Sequence, residues 1–213
     1  MSVVTTTKYI SRGMQDVITK KLNSGFTAYT GDIVKWTGDT AFTFTPTRTS
    51  TELASGNDPL WMNIQGLVTG DVELAFHDIA ISDMEHLLGV KYSAADGLLV
   101  GDSDDPVVFI GLSLNRIVRD ASGNESYNKV ILYKVCFDLP AIDIKTISND
   151  DNAISELKLT GKAYPVFFTK TNGTQGARTY AILNSALNAT KYTANAADIV
   201  FPAEMSSGTS QPQ

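Results

Sequence analysis

The sequence predicts a mainly β fold, an antiparallel β-sandwich or partly closed barrel with a short flanking α-helix. Three observations predict it. Apolar and polar side chains alternate with period two in 72–76, 108–115, 131–137 and 157–163, the mark of strands that bury one face. Links rich in Gly, Asn, Asp and Ser separate these stretches, as hairpin connections require. No strand-helix-strand rhythm develops, which counts against a parallel α/β sheet.

Residues 1–30 read as an N-terminal arm. Met14, Val17, Ile18 and Leu22 recur at spacings of three and four between Gly13 and Gly25, so the arm could carry a short helix. From Asp32 the texture becomes strand-like. DIVKW leads to a turn at Gly38 and Asp39, and TAFTFT then alternates Ala41 and Thr43 with Phe42 and Phe44. Threonine branching at Cβ suits a pleated surface better than a helix. STELASGNDP (50–59) reads as a polar loop, and WMNIQGLV sets Met62, Ile64 and Val68 on one parity around Gly66.

In DVELAFHD, Val72, Leu74 and Phe76 face one way and Asp71, Glu73 and His77 the other. Each buried apolar side chain there contributes about 1.5 to 3 kcal/mol. A two-turn helix follows: Ser82 and Glu85 have capping-box spacing, Met84, Leu87 and Leu88 form its apolar stripe, and Gly89 stops it. Too short to stand alone in water, it must cover a sheet.

The centre reads as a long hairpin. Val108, Ile110, Leu112 and Leu114 share a face opposite Phe109, Ser113 and Asn115, RDASGNES turns the chain, and the return strand sets Ile131, Tyr133, Val135 and Phe137 on one parity. Val130 and Leu132 leave its other face partly apolar, which predicts a cover from another sheet or another subunit. Further on, Leu157, Leu159 and Ala163 oppose Glu156, Lys158, Thr160 and Lys162, and Pro165 suggests an edge or an exit. Between them Ile142, Ile144 and Ile147 form a weaker alternating stretch. The β body spans 31–168, and 169–213 reads as a C-terminal extension in which KTNGTQG is a loop, AILNSALNA a short helix or strand, and EMSSGTSQPQ a loose tail.

Composition narrows function. The 213 residues carry 17 Lys and Arg against 23 Asp and Glu, a net charge of −6, and Lys20–Lys21 is the sole adjacent basic pair. Tight duplex binding is disfavoured by phosphate repulsion, while passive proximity to nucleic acid is not. Cys136 is the single cysteine and reads as a packed strand thiol. No secretory or membrane-spanning apolar run is expected, so the chain reads as soluble and made in a reducing cytoplasm.

No catalytic, cofactor or metal site is expected, and the chain does not read as an enzyme. The zinc-helix, phosphate-loop and nucleophile-elbow patterns do not occur in it. His77 and His86 are expected on the wet face of a strand and the exposed side of the helix, and Asp102, Asp104 and Asp105 in a solvated loop that lacks the calcium-loop pattern. Trp36, Trp61 and Tyr92 could stack on sugars if exposed together, although Trp61 beside Met62 and Ile64 is more simply an anchor.

The succession GDVELAFHDI, SDMEHLLGV, DGLLVGDSDDPVVFIGLSL, YNKVILYKVCFDLP and ELKLTGKAYP resembles the major tail proteins of long-tailed bacteriophages, the phi13-type tail tube group. It covers roughly Gly31 to Phe168. Its most specific parts are the helix ending at Leu88–Gly89, Leu132-Tyr133-Lys134 followed by Phe137, and Leu159-Thr160-Gly161-Lys162 running to Pro165. The first thirty residues and the stretch after Lys170 fall outside it.

The resemblance implies a tail-tube-like β-sandwich or barrel and a structural protein of the virion tail, synthesised in the host cytoplasm. Its copies would form hexameric rings stacked into a tube through which DNA passes without tight binding. Tail terminator, baseplate and tape measure proteins are the implied partners, with no membrane and no cofactor. Tube proteins of contractile tails and type VI secretion look similar, so a secretion-type tube is the alternative, and a carbohydrate-binding β-sandwich is another. A ring closes only through a heterologous contact, and a neutral or acidic lumen would let DNA slide. Asp71, Glu73, Glu156 and Lys158 are the candidate wall residues, on the lumen or the exterior.

Overall fold

The computed structural model describes residues 9–55, 58–77, 79–140, 156–187, 189–194 and 198–203. They form strands β1 (Tyr9–Leu22), β2 (Tyr29–Lys35), β3 (Asp39–Ser55) and β4 (Asp58–Phe76), helix α1 (Ile81–Leu88), and strands β5 (Lys91–Ser93), β6 (Leu98–Val100), β7 (Ile110–Asp120) and β8 (Glu125–Phe137). After these come β9 (Leu157–Ala163), β10 (Val166–Thr169), β11 (Gln175–Arg178), β12 (Tyr180–Asn184) and α2 (Ala189–Ala194). The chain is mainly β, as the alternation predicts.

The main sheet is antiparallel with strand order β2-β1-β7-β8-β9-β4-β3. It forks at β8. One edge of β8 pairs with β7, while the other takes β9 at Val135–Phe137 and β12 at Asn128–Leu132. The sheet curls so that Val17 of β1, Leu112 of β7, Leu74 of β4 and Leu159 of β9 meet in one core. Strands β1 and β3 approach across the opening, yet no ladder joins them. The result is a sandwich-like, incompletely closed barrel.

The helical reading of the first thirty residues is overturned: 9–22 is a strand deep in the sheet. Two bulges explain the misleading spacing. The register against β7 shifts between Ser11 and Gly13 and again between Gln15 and Ile18, and each bulge adds one residue to β1. Gly13 (φ 144°) and Asp16 (φ 55°) take the left-handed backbone there. Met14 and Val17 therefore share a face three residues apart, as in a helix, although the chain is extended.

A bulge also corrects the reading of β8. Ile110 pairs with Val135 but Leu112 with Leu132, so β8 spends three residues where β7 spends two. Leu132, Val135 and Phe137 consequently face the main core, while Ile131 and Tyr133 enter a second cluster with Ile18, Val166 and Ile199. The cover predicted for the second apolar face is supplied by the chain itself. Tyr29 closes it, donating its hydroxyl to the Tyr133 carbonyl at 2.9 Å.

Helix α1 starts at Ala80 without a side-chain cap, so the Ser82 and Glu85 box does not form. Gly89 stops it as predicted, at φ 76° with its N–H on the Glu85 carbonyl, and Leu87 anchors it in the core. Strand β9 lies inside the sheet between β8 and β4 and not at an edge. It ends at Ala163, so Pro165 marks the exit alone.

The loop expected at 50–59 is strand on both sides of its tip, with Ser50 opposite Gln65 and Ser55 opposite Asp58. Polar residues there sit on a strand, with Ser50 and Thr51 exposed. In the C-terminal part, KTNGTQG gives a turn and the start of β11, and AILN is strand β12. The boundaries at 30 and 168 fall inside β2 and β10. Ile142, Ile144, Ile147 and the tail from 204 lie outside the described residues.

Candidate functional site

The alternation that buries Val72, Leu74, Leu159 and Ala163 turns a charged ladder outward on β4 and β9. Asp71 stands directly across from Lys162 and Glu73 across from Thr160. Lys158 reaches diagonally to Glu73, Nζ to Oε1 3.1 Å, and Lys162 Nζ lies 4.0 Å from Asp71 Oδ1. Thr43 and Thr45 of β3 continue the rows opposite Glu73 and Asp71. A shallow hollow of about 270 Å³ lies over this face, with Asp138 and Thr160 on its wall.

The structure thus brings together Asp71, Glu73 and Lys158 of the four predicted wall residues. Glu156 sits exposed just before β9, on the parity of Lys158. Lys162, which completes the ladder, was legible as a member of the same alternation, whereas Thr43 and Thr45 depended on a strand register no sequence prints. These pairs are solvated, with side chains 44–73% exposed, so each contributes only about 0 to 1 kcal/mol. Their chemistry is that of solvated ion pairs on a polar face.

A second feature is the outer half of the β3–β4 hairpin. Strand β4 pairs with β9 only over Gly70–Phe76, while its pairing with β3 runs on from Thr47↔Thr69 to Ser55↔Asp58. That leaves a two-stranded ribbon about 30 Å long at roughly 3.3 Å per residue. Residues 45–51 are exposed along it, and Arg48 Nη1 bridges the strands to Gln65 Oε1 at 2.9 Å. Its base is tied to the body where the Thr179 hydroxyl donates to the Val68 carbonyl. Among the described residues β2 and β3 end the sheet, and β1 pairs with β2 only from Ile18 onward.

Other candidates resolve structurally. His86 is not on the open side of α1. Its Nε2 shares a 3.0 Å hydrogen bond with Thr19 Oγ1, which accepts the Trp36 indole N–H at 2.8 Å. Burial, helped by nearby Lys21, pushes the His86 pKa down to about 4. His77 is exposed, as expected. Trp36 is buried and so cannot join Trp61 and Tyr92 in stacking on a sugar; the side chain of Trp61 lies outside the described residues.

Asp102, Asp104 and Asp105 do converge, and Lys91 supplies the counter-charge, 3.0 Å from Asp102 and 3.4 Å from Asp105. Cys136 is half-buried, and burial raises its thiol pKa, keeping it protonated and unreactive. No helix among the described residues is long and apolar enough to cross a membrane.

No family model matches the sequence, and no curated protein matches it. Among solved structures, the chain is similar to one in a structure entitled "Cryo-EM structure of the anti-feeding prophage (AFP) baseplate, 6-fold symmetrised". The match covers 86% of this chain and 97% of that one, at 7% identity and a TM-score of 0.33. A likeness at that level assigns no function, and the functional reading rests on the strands and their open edges.

Proposed function

We propose that the chain is a structural subunit of a phage-type tail tube, in which copies associate into rings and rings stack around a DNA-conducting lumen. The single observation that carries this reading is the β3–β4 ribbon. A two-stranded hairpin is marginal in water, and its unpaired edges are templates for further strands. A partner that accepts the ribbon satisfies both requirements, and repetition of one heterologous contact generates a ring or a stack. The edges of β2 and β3, unpaired among the described residues, support the same reading.

Tail terminator, baseplate and tape measure proteins are the proposed further partners. The ladder suits a wall that DNA slides past. Asp71, Glu73, Asp138 and Glu156 outnumber Lys158 and Lys162, and both lysines already have carboxylate neighbours. Such a face offers little to trap phosphates by counterion release. The role is mechanical and needs no cofactor.

The test is electron microscopy of the purified full-length chain over a concentration series, beside a variant in which residues 49–67 are replaced by a two-residue turn between the paired Arg48 and Val68. Rings or tubes from the parent, and monodisperse particles with an unchanged thermal melt from the variant, are expected. A parent that stays monomeric throughout, or tubes formed without the ribbon, would overturn the reading. The double change Glu73→Lys and Glu156→Lys should slow DNA release through intact tubes; unchanged release would remove this face from the lumen.

A further inference from the structure

The open seam between β1 and β3 leads into a cleft of about 570 Å³, inside the range of roughly 300 to 1,000 Å³ typical of small-molecule sites. Its depth is apolar, lined by Phe42, Leu114 and Val130, and Ile182, 61% exposed, stands at the mouth. The mouth is not apolar throughout. The core-facing row of β7 runs Leu112, Leu114, Arg116 opposite Leu132, Val130, Asn128 of β8, so the inner face changes from aliphatic to cationic as the seam opens.

Arg116 lines the cleft, is exposed, and makes no hydrogen bond or ion pair among the described residues. Thr40 also lines it, and its buried Oγ1 has no partner among the described residues. An apolar pit with an uncompensated guanidinium at its rim and an unused hydroxyl in its wall has the form of a complement to an amphiphilic anion. A guanidinium accepts a carboxylate through two parallel hydrogen bonds.

We propose that the β1–β3 cleft binds a medium-chain carboxylate, its hydrocarbon against Leu114, Val130 and Ile182 and its head group on Arg116. The inference is independent of the tube reading, since it concerns the free subunit.

Isothermal titration calorimetry of the full-length chain, with dodecanoate, decanoate and dodecyltrimethylammonium below their micelle concentrations, tests it. Saturable one-to-one binding of dodecanoate is expected, roughly tenfold tighter than decanoate, since each buried methylene adds about fourfold at most. The ammonium amphiphile should not bind. Arg116→Gln should weaken dodecanoate at least tenfold with an unchanged melt, and Ile182→Trp, which plugs the mouth, should abolish binding. No saturable binding, equal affinity in Arg116→Gln, or equal binding of the cationic amphiphile would overturn the proposal. So would an Ile182→Trp variant that loses self-association while the parent ignores dodecanoate, an outcome that gives the cleft to a second copy.

Discussion

The β7–β8 and β3–β4 hairpins are both long antiparallel ladders, and they are strands for different reasons. In β7–β8, Leu112 and Leu132 fill the main core while Ile131 and Tyr133 fill the second cluster, so burial on both faces fixes the pairing. In β3–β4 the inner half is held by one buried face, through Val72, Leu74 and Phe76. Its outer half keeps its ladder past the end of β9, with residues 47–51 exposed. One hairpin is a scaffold by packing. The other runs past the body on its cross-strand ladder, with the Arg48–Gln65 bond across it and the Thr179–Val68 bond at its base.

The largest effect should come where the ladders fork. A side chain at Gly161 would collide with the Cys136 carbonyl and lie 2.8 Å from the Phe137 Cα, backbone that cannot yield. Gly161→Val should cost about 4 kcal/mol or more, read as loss of soluble protein or of the near-UV dichroism of the core. Leu112→Ala, in the packed hairpin, should cost about 2 to 5 kcal/mol in urea unfolding; a loss below 1 kcal/mol would contradict the packing account.

Acidification probes the seat of α1. The folded His86 pKa lies near 4, against an ordinary value of 6.5, so the unfolded chain binds the extra proton between these values. The stability that the neutral ring supplies is complete above pH 6.5 and is lost as pH falls towards 4. For a half-exposed ring the difference is about 1 to 2 kcal/mol after discounting for solvent screening. His86→Gln should flatten this segment of the stability curve relative to the parent. The smallest effect belongs to the ribbon: Leu67 is 51% exposed, and Leu67→Ser should move stability by no more than about 0.5 kcal/mol. A larger shift would mean the ribbon is part of the folded core after all.

Legibility in the sequence followed the same divide. Where one face was buried without interruption, as at Val72–Phe76 and Leu157–Ala163, alternation predicted both the strand and its inward side. It failed at β1 and β8, where bulges change the phase: Met14 and Val17 mimic helical spacing, and Val135 changes sides relative to Tyr133. The strand at 50–55 is not legible, because Ser, Thr and Glu there break any apolar alternation. Of the candidate wall, Asp71, Glu73 and Lys158 were legible as outward partners of buried residues. The pairing of Glu73 with Lys158 was not, because it joins residues 85 positions apart through a sheet order that alternation does not encode. The pit under Arg116 was hidden likewise, since Thr40, Leu114 and Ile182 share no local pattern.

The pairing of β1 with β7 sets a clock on biosynthesis. Tyr9 finds its register opposite Asp120, so the first strand leaves the ribosome long before its neighbour exists. At about 5 to 20 residues per second, that wait is on the order of 5 to 20 seconds. An early segment is thus completed late, since β1 cannot find its β7 partner until Asp120 has been translated.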